Sequence, residues 1–313
     1  MAKRNFLKFE QEENVDETLV NGKTKPPIKQ QKSGLMKFSN YFIALRPWSL
    51  SGSLMPTLLG CTIAQKYPGD VPFSYLNLIF TVLTVVSVHG AGNLVNTYFD
   101  YIKGIDNRKA DDRTLVDHIL TEEEVVTLGA LLYLIGCVGF VMLTTLSPAK
   151  MEHLALVYFG GISSSFLYTG GIGFKYIALA QTGRIEWACI YYAIPLALNT
   201  EAILHSNNTR DMELDRKNGI VTLAILIGHT ASYILYAFLL FIPYIMLMVM
   251  SFKYSKWFML PLITLPRAFE IEKQFRSGNI QNIPRKTAKL NLILGILYIL
   301  SCSFIPSLPF ISK

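Results

Sequence analysis

Apolar residues in this chain gather into long runs separated by polar stretches, and several runs approach the roughly 20 residues that cross a bilayer as a helix. Eight runs stand out, at about 41–64, 71–95, 125–146, 154–168, 187–204, 220–250, 257–269 and 290–306. Period-two alternation is absent and so are the short turns of a β-barrel, so the runs predict helices. The run at 220–250 is long enough for one tilted helix, or for a helix preceded by a short apolar segment. The fold class expected is all-α, a polytopic transmembrane helical bundle. Residues 1–37 are polar and mixed in charge, with a Thr24-Lys25-Pro26-Pro27 turn, and read as a disordered cytosolic tail ahead of a membrane domain at 38–313.

Composition supports the membrane reading. Hydrophobic residues make up 51% of the 313 and charged residues 16%, and mean hydropathy is +0.35. The formal net charge is +7, and residues 253–289 hold eight Lys or Arg against two Glu, a pattern that fits a cytoplasmic membrane surface. Nucleic-acid binding is disfavoured, because the positive charge lies between apparent spans and no stacking platform accompanies it. The four cysteines, Cys61, Cys137, Cys189 and Cys302, show no pairing pattern and read as small buried apolar residues.

Two polar clusters carry the candidate chemistry. The first contains Asn96 and Asp100, four apart and on one face if the second helix continues through them, followed by Asp106, Asp111, Asp112 and Arg113. In the second, Asn207, Asp211 and Asp215 recur at every fourth position, with Asn208 and Arg210 among them. Carboxylates sharing a face repel one another, and a divalent cation relieves the repulsion. Mg2+ characteristically sits between carboxylates and substrate phosphates. Solvated loop acids at membrane boundaries are the plainer reading of either cluster alone. Two clusters of the same design, each at the polar end of a span, favour a magnesium–diphosphate site. Lys175 could contact phosphate or snorkel to the interface; Arg113 and Arg210 could do the first or neutralise their neighbouring carboxylates. Tyr168 and Tyr176 flank Lys175 and could face an organic substrate. A transporter would instead place acids or irregular helices near mid-membrane.

From about residue 38 to 310 the chain resembles the UbiA superfamily of intramembrane prenyltransferases. Residues 93–106, continuing through Asp111, Asp112, Arg113, Thr114, Leu115, Val116 and Asp117, look like the family's first Asp-rich motif. Residues 201–228 look like its second, and 168–176 like the segment that carries a substrate-site lysine. The resemblance implies Mg2+-dependent transfer of a geranylgeranyl group from its diphosphate to menadiol, a reduced naphthoquinone, giving menaquinone-4 (vitamin K2) in endoplasmic reticulum or Golgi membranes. It implies that Asn96, Asp100 and Asp106 serve one side of the Mg2+–diphosphate and Asp211 and Asp215 the other, with Lys175 on the diphosphate. It also implies association with a sterol-synthesis reductase.

The family has nine transmembrane helices, one more than the runs counted here. After Lys175, residues 177–179 pass directly into Ala180, Gln181, Thr182, Gly183 and Arg184, as though one helix were missing. Three runs separate Asp106 from Asp211, which predicts acidic clusters on opposite sides of the membrane, whereas one diphosphate requires them on the same side. A helix over 170–187 would be about 27 Å long, slightly short of a core near 30 Å. Two expectations follow: normal family activity with a re-entrant or broken segment, or a catalytically impaired or regulatory form.

Overall fold

The computed structural model describes residues 34–66, 73–102, 114–167 and 187–311. The chain divides into two units, Met1–Lys37 and Phe38–Lys313, and the architecture below is that of the second.

Nine α-helices and one 3-10 helix make up the described secondary structure, with no strand among the described residues. They are α1 (Gly34–Ala44), α2 (Ser51–Ala64), α3 (Tyr75–Ile102), α4 (Glu122–Leu146), α5 (Met151–Leu167), α6 (Trp187–Lys217), α7 (Leu223–Lys253), the 3-10 helix Lys256–Thr264, α8 (Leu265–Arg276) and α9 (Ile283–Phe304). Among the described residues, α3, α4, α7 and α9 are long and apolar enough to cross a membrane. Local signals set several boundaries. Thr121 and Glu124 form a reciprocal capping box at the start of α4, and the Thr222 hydroxyl accepts from Ile225 N at the start of α7. Gly228, at φ 77° and ψ 173°, interrupts the helical backbone near the start of α7, so the long run at 220–250 is a helix preceded by a short apolar segment.

Helix directions follow from the contacts. A Cβ on Gly129 would meet Leu94, one on Gly136 Val88, and one on Gly139 Thr84, so α4 runs antiparallel to α3 along a seam of small residues. The opposite side of α4 exposes Leu131, Leu134, Val138 and Val141, an apolar face suited to lipid. Tyr158 stacks on Phe140 at 4.5 Å, and α5 returns beside α4. α2 is the central brace. A Cβ on its Gly52 would lie 3.1 Å from Thr200 of α6, its Ser53 bonds His89 of α3, and its Ser51 donates to the Ala288 carbonyl of α9.

Three expectations need correction. The first apolar run is two helices, broken at Arg46, Pro47 and Trp48, where Arg46 adopts a positive φ of 50°. The basic stretch 253–289 does not lie on one surface. Tyr254 and Trp257 pack against Phe310 and Phe304 at one end of the bundle, whereas Arg285 lies over Trp48 at the other. Cysteines 61, 189 and 302 are buried as expected, but Cys137 is exposed, its Sγ 3.2 Å from the Tyr158 hydroxyl of α5.

Candidate active site

α3 continues without a break to Ile102 and so carries Asn93, Asn96, Thr97 and Asp100 along its last turns. α6 likewise runs past its apolar part to Lys217, which places Asn207, Asn208, Arg210, Asp211 and Asp215 on one helix. A spacing of four recurs on the same side of a helix, so Asn207, Asp211 and Asp215 form a single row.

Arg210 organises that row. Its Nε donates to Asp211 Oδ1 at 2.8 Å and its Nη2 to Asp211 Oδ2 at 2.6 Å, while Nη2 also donates to Asn207 Oδ1 at 2.8 Å. The guanidinium is nearly buried, so this two-pronged grip fixes the Asp211 carboxylate in orientation. Of the two roles open to Arg210, this geometry is that of neutralising Asp211.

Asp215, one turn further, is buried, and its carboxyl is pushed up from 3.8 to about 6. Burial is the largest cause, followed by the negative charges of Asp211 and Asp100; Arg210 pulls the other way. Asp100 belongs to α3 and Asp215 to α6. Their mutual repulsion means that the two acidic helix ends face each other on one side of the bundle, and the prediction of clusters on opposite sides is overturned. The physical reason lies in the count of traverses. α3, α5 and α6 all run toward the acidic end, so α5 finishes on that side while α6 begins on the other. A count of apolar runs carries no helix directions, and the contacts supply them.

Among the described residues, no three His, Cys, Asp or Glu side chains converge closely enough to hold a metal by themselves. An excess of carboxylate over cation, one acid of which holds its proton to about pH 6, nevertheless fits Mg2+, which uses one or two carboxylates and completes its shell with water and phosphate oxygens. Asn96, Asn207 and Asn208 are half-buried beside these acids. Asp106, Arg113, Tyr168, Lys175 and Tyr176 lie outside the described residues.

One group near the site was not singled out in the sequence. Asn93 Nδ2 donates to the Leu45 carbonyl and to Ser49 Oγ, both at 2.9 Å, and His89 Nδ1 lies 2.8 Å from Ser53 Oγ. Arg46 Nη2 reaches Thr97 Oγ1 at 3.5 Å. These bonds tie the α1–α2 joint to the helix that carries Asn96 and Asp100. The spacing of His89, Asn93 and Thr97 was a legible signal; the breaking of the first apolar run, which brings the joint to them, was not.

Fold and site together define a multi-pass helical membrane protein with paired acidic helix ends. The profile of the UbiA prenyltransferase family matches residues 53–182 and 168–295, and the chain belongs to that family. It is 61% identical to the UbiA prenyltransferase domain-containing protein 1 homolog of Drosophila melanogaster over 294 residues, covering 88% of this chain and 82% of that protein. It is 52% identical to UbiA prenyltransferase domain-containing protein 1 of Homo sapiens over 296 residues, covering 88% and 87%. Among solved structures, a UbiA homolog from Aeropyrum pernix K1 matches with a TM-score of 0.62 at 15% identity, over 82% of this chain and 98% of that one. A UbiA homolog from Archaeoglobus fulgidus bound to GPP and Mg2+ matches with a TM-score of 0.53 at 14% identity, over 83% and 99%.

The Drosophila alignment exceeds the part of this chain that it covers by about 20 positions, the length of one membrane-crossing helix. The family profile matches in two pieces that overlap over residues 168–182.

Proposed function

We propose that this chain transfers a prenyl group from its diphosphate to an aromatic acceptor inside the membrane, with geranylgeranyl as the group and menadiol as the acceptor, making menaquinone-4. The observation that carries the reading is the opposition of Asp100 on α3 to Asp211 and Asp215 on α6. Neither helix end alone makes a diphosphate site; the two together frame one. Relatives more than half identical over most of the chain, and a similar fold that holds GPP and Mg2+, support it.

In the reaction the bond between prenyl C1 and the diphosphate oxygen breaks, an acceptor ring carbon bonds to C1, and that carbon then loses its proton. When bound, Mg2+ supplies positive charge to the departing diphosphate oxygens. Asp100, Asp106, Asp211 and Asp215 offer carboxylate oxygens, and Asn96, Asn207 and Asn208 offer neutral ones that add no repulsion. Arg210 keeps Asp211 from swinging away. Lys175 serves the diphosphate by family resemblance, and by their place in the sequence Arg113 joins it and Tyr168 and Tyr176 face the organic substrate. The apolar walls keep water from an allylic cation. Endoplasmic reticulum or Golgi membranes as the location, a sterol-synthesis reductase as partner, and residues 1–37 as a cytosolic tail complete the proposal.

A second reading is favoured by one observation, the shortfall of about one helix's length relative to its relatives. On that reading the chain is an impaired or regulatory form that keeps the acidic site. Membranes containing the full chain, given geranylgeranyl diphosphate, menadiol and Mg2+, separate the two. The enzyme reading expects prenylated product, reduced by about 100-fold or more in Asp211→Ala, the scale on which single electrostatic catalytic groups act. No product from the intact chain overturns it in favour of the second reading.

A further inference from the structure

Cations crowd the start of α9. Arg285, Lys286 and Lys289 stand in its first two turns, where the helix dipole favours acids, yet the first turn holds no acid and no side chain caps it. Lys286 donates to Gln274 of α8. The acids of α8 are engaged elsewhere: Glu272 pairs with Arg276 and accepts from Tyr233, and Glu270 pairs with Arg267. Arg285 and Lys289, four apart, repel each other on one side of the helix, and no acid pairs with either among the described residues.

Arg285 is nevertheless held in place. Its guanidinium lies over the Trp48 ring, 4.9 Å from the centroid, with Nε buried and unbonded while the side chain as a whole is only half-buried. Trp48 belongs to the joint between α1 and α2. Ser51, three residues on, donates to the Ala288 carbonyl at 3.2 Å and fastens that joint to the first turns of α9. A planar fork fixed by stacking, with an accessible edge and a lysine one turn away, suits a phosphate.

The surroundings say which phosphate. α9 has 22 residues and is therefore about 33 Å long, close to a hydrocarbon core of about 30 Å, so its first turns meet the headgroup region. Trp48 is a side chain expected at that boundary. Lys289 also heads a stripe of apolar residues at helical spacing, Leu292, Ile293, Ile296 and Leu300, all of them exposed. An acyl chain lying on that stripe puts its own headgroup at Lys289 and Arg285; a soluble ion has no such tether.

We propose that Arg285, Lys289 and Trp48 form a site for the phosphate of an anionic lipid headgroup. Free diphosphate shares the chemistry, and the lipid is the assigned source. The site stands independently of prenyl transfer. Because Asn93 grips the same joint through the Leu45 carbonyl and the Ser49 hydroxyl, a lipid there braces the helix that carries Asn96 and Asp100.

The test places the full chain in nanodiscs of phosphatidylcholine, alone or with phosphatidylinositol. Its unfolding temperature is measured, and native mass spectrometry counts the lipids it retains. Phosphatidylinositol should stabilise the parent and stay with it on release. In Arg285→Gln/Lys289→Gln, retention should fall about tenfold or more, the scale of two cations at an anionic surface, and the stabilisation should vanish. Lys253→Gln/Lys256→Gln, which removes the same charge at the other end of the bundle, should behave as the parent. Equal losses in the two double variants, or no loss in the first, overturn the site. Inorganic diphosphate without Mg2+, added to phosphatidylcholine discs, should affect the parent and Arg285→Gln/Lys289→Gln alike; a stabilisation lost with these two cations would overturn the lipid as occupant. Should that double variant not fold, Lys289→Gln alone, at an exposed position, is read by the same retention.

Discussion

Asp215 shows most directly what the site asks of its ligand. Its carboxyl, ordinarily near 3.8, is raised to about 6 by burial and by the charges of Asp211 and Asp100. A raised carboxyl favours the folded state when protonated. Its contribution is therefore full below the ordinary value and is lost as pH climbs through about 6. In a metal chelator, the unfolding temperature should fall between pH 4.5 and 7, and Asp215→Asn should flatten that fall. With Mg2+ and a prenyl diphosphate the carboxylate becomes the favoured form, so ligand stabilisation should grow across the same interval. A profile identical in the parent and Asp215→Asn would remove Asp215 from the site. The sequence already displayed the row of Asn207, Asp211 and Asp215 through its spacing of four. It could not display the state of Asp215, which comes first from burial and also from a carboxylate more than a hundred residues away on another helix.

At the scale of the helix, small residues set how closely elements approach. A Cβ on Gly295 of α9 would fall 2.6 Å from Met55 Cγ and 2.8 Å from Met55 Cβ, a contact that a rotamer change alone does not relieve. Gly295→Ala should force α2 and α9 apart and cost about 1–3 kcal/mol, read as a lower unfolding temperature. Gly160 of α5 is the control, because a Cβ there meets nothing within 4 Å. Gly160→Ala should be neutral or stabilise by up to about 1 kcal/mol, the ordinary helical preference for alanine. Equal losses in both would contradict the close approach of α2 to α9. Long apolar runs made most helices legible, since each must bury its backbone hydrogen bonds internally. Boundaries were less so. The run at 41–64 hid a break because its joint residues, Arg46 apart, are no more polar than the helices they separate. The spacing of four in both acidic ends already read as helical faces, and α3 and α6 extend through them; where each helix stops was not legible.

Over the whole molecule, the decisive feature is the side of the membrane on which the two acidic ends emerge. Counting apolar runs put them apart; the coupling of Asp100 to Asp215 puts them together. Both ends of the site lie on a common face of the described helices. The central claim is that one ligand is held by both ends. Titrating geranylgeranyl diphosphate with Mg2+ into the full chain in nanodiscs, for the parent, Asp100→Asn, Asp215→Asn and the double variant, tests it most directly. The account predicts that each single change weakens binding at least about tenfold and that the double change adds little, the signature of coupled neighbours. Retention of full affinity in Asp100→Asn, or losses that simply multiply in the double variant, would contradict a site shared between α3 and α6.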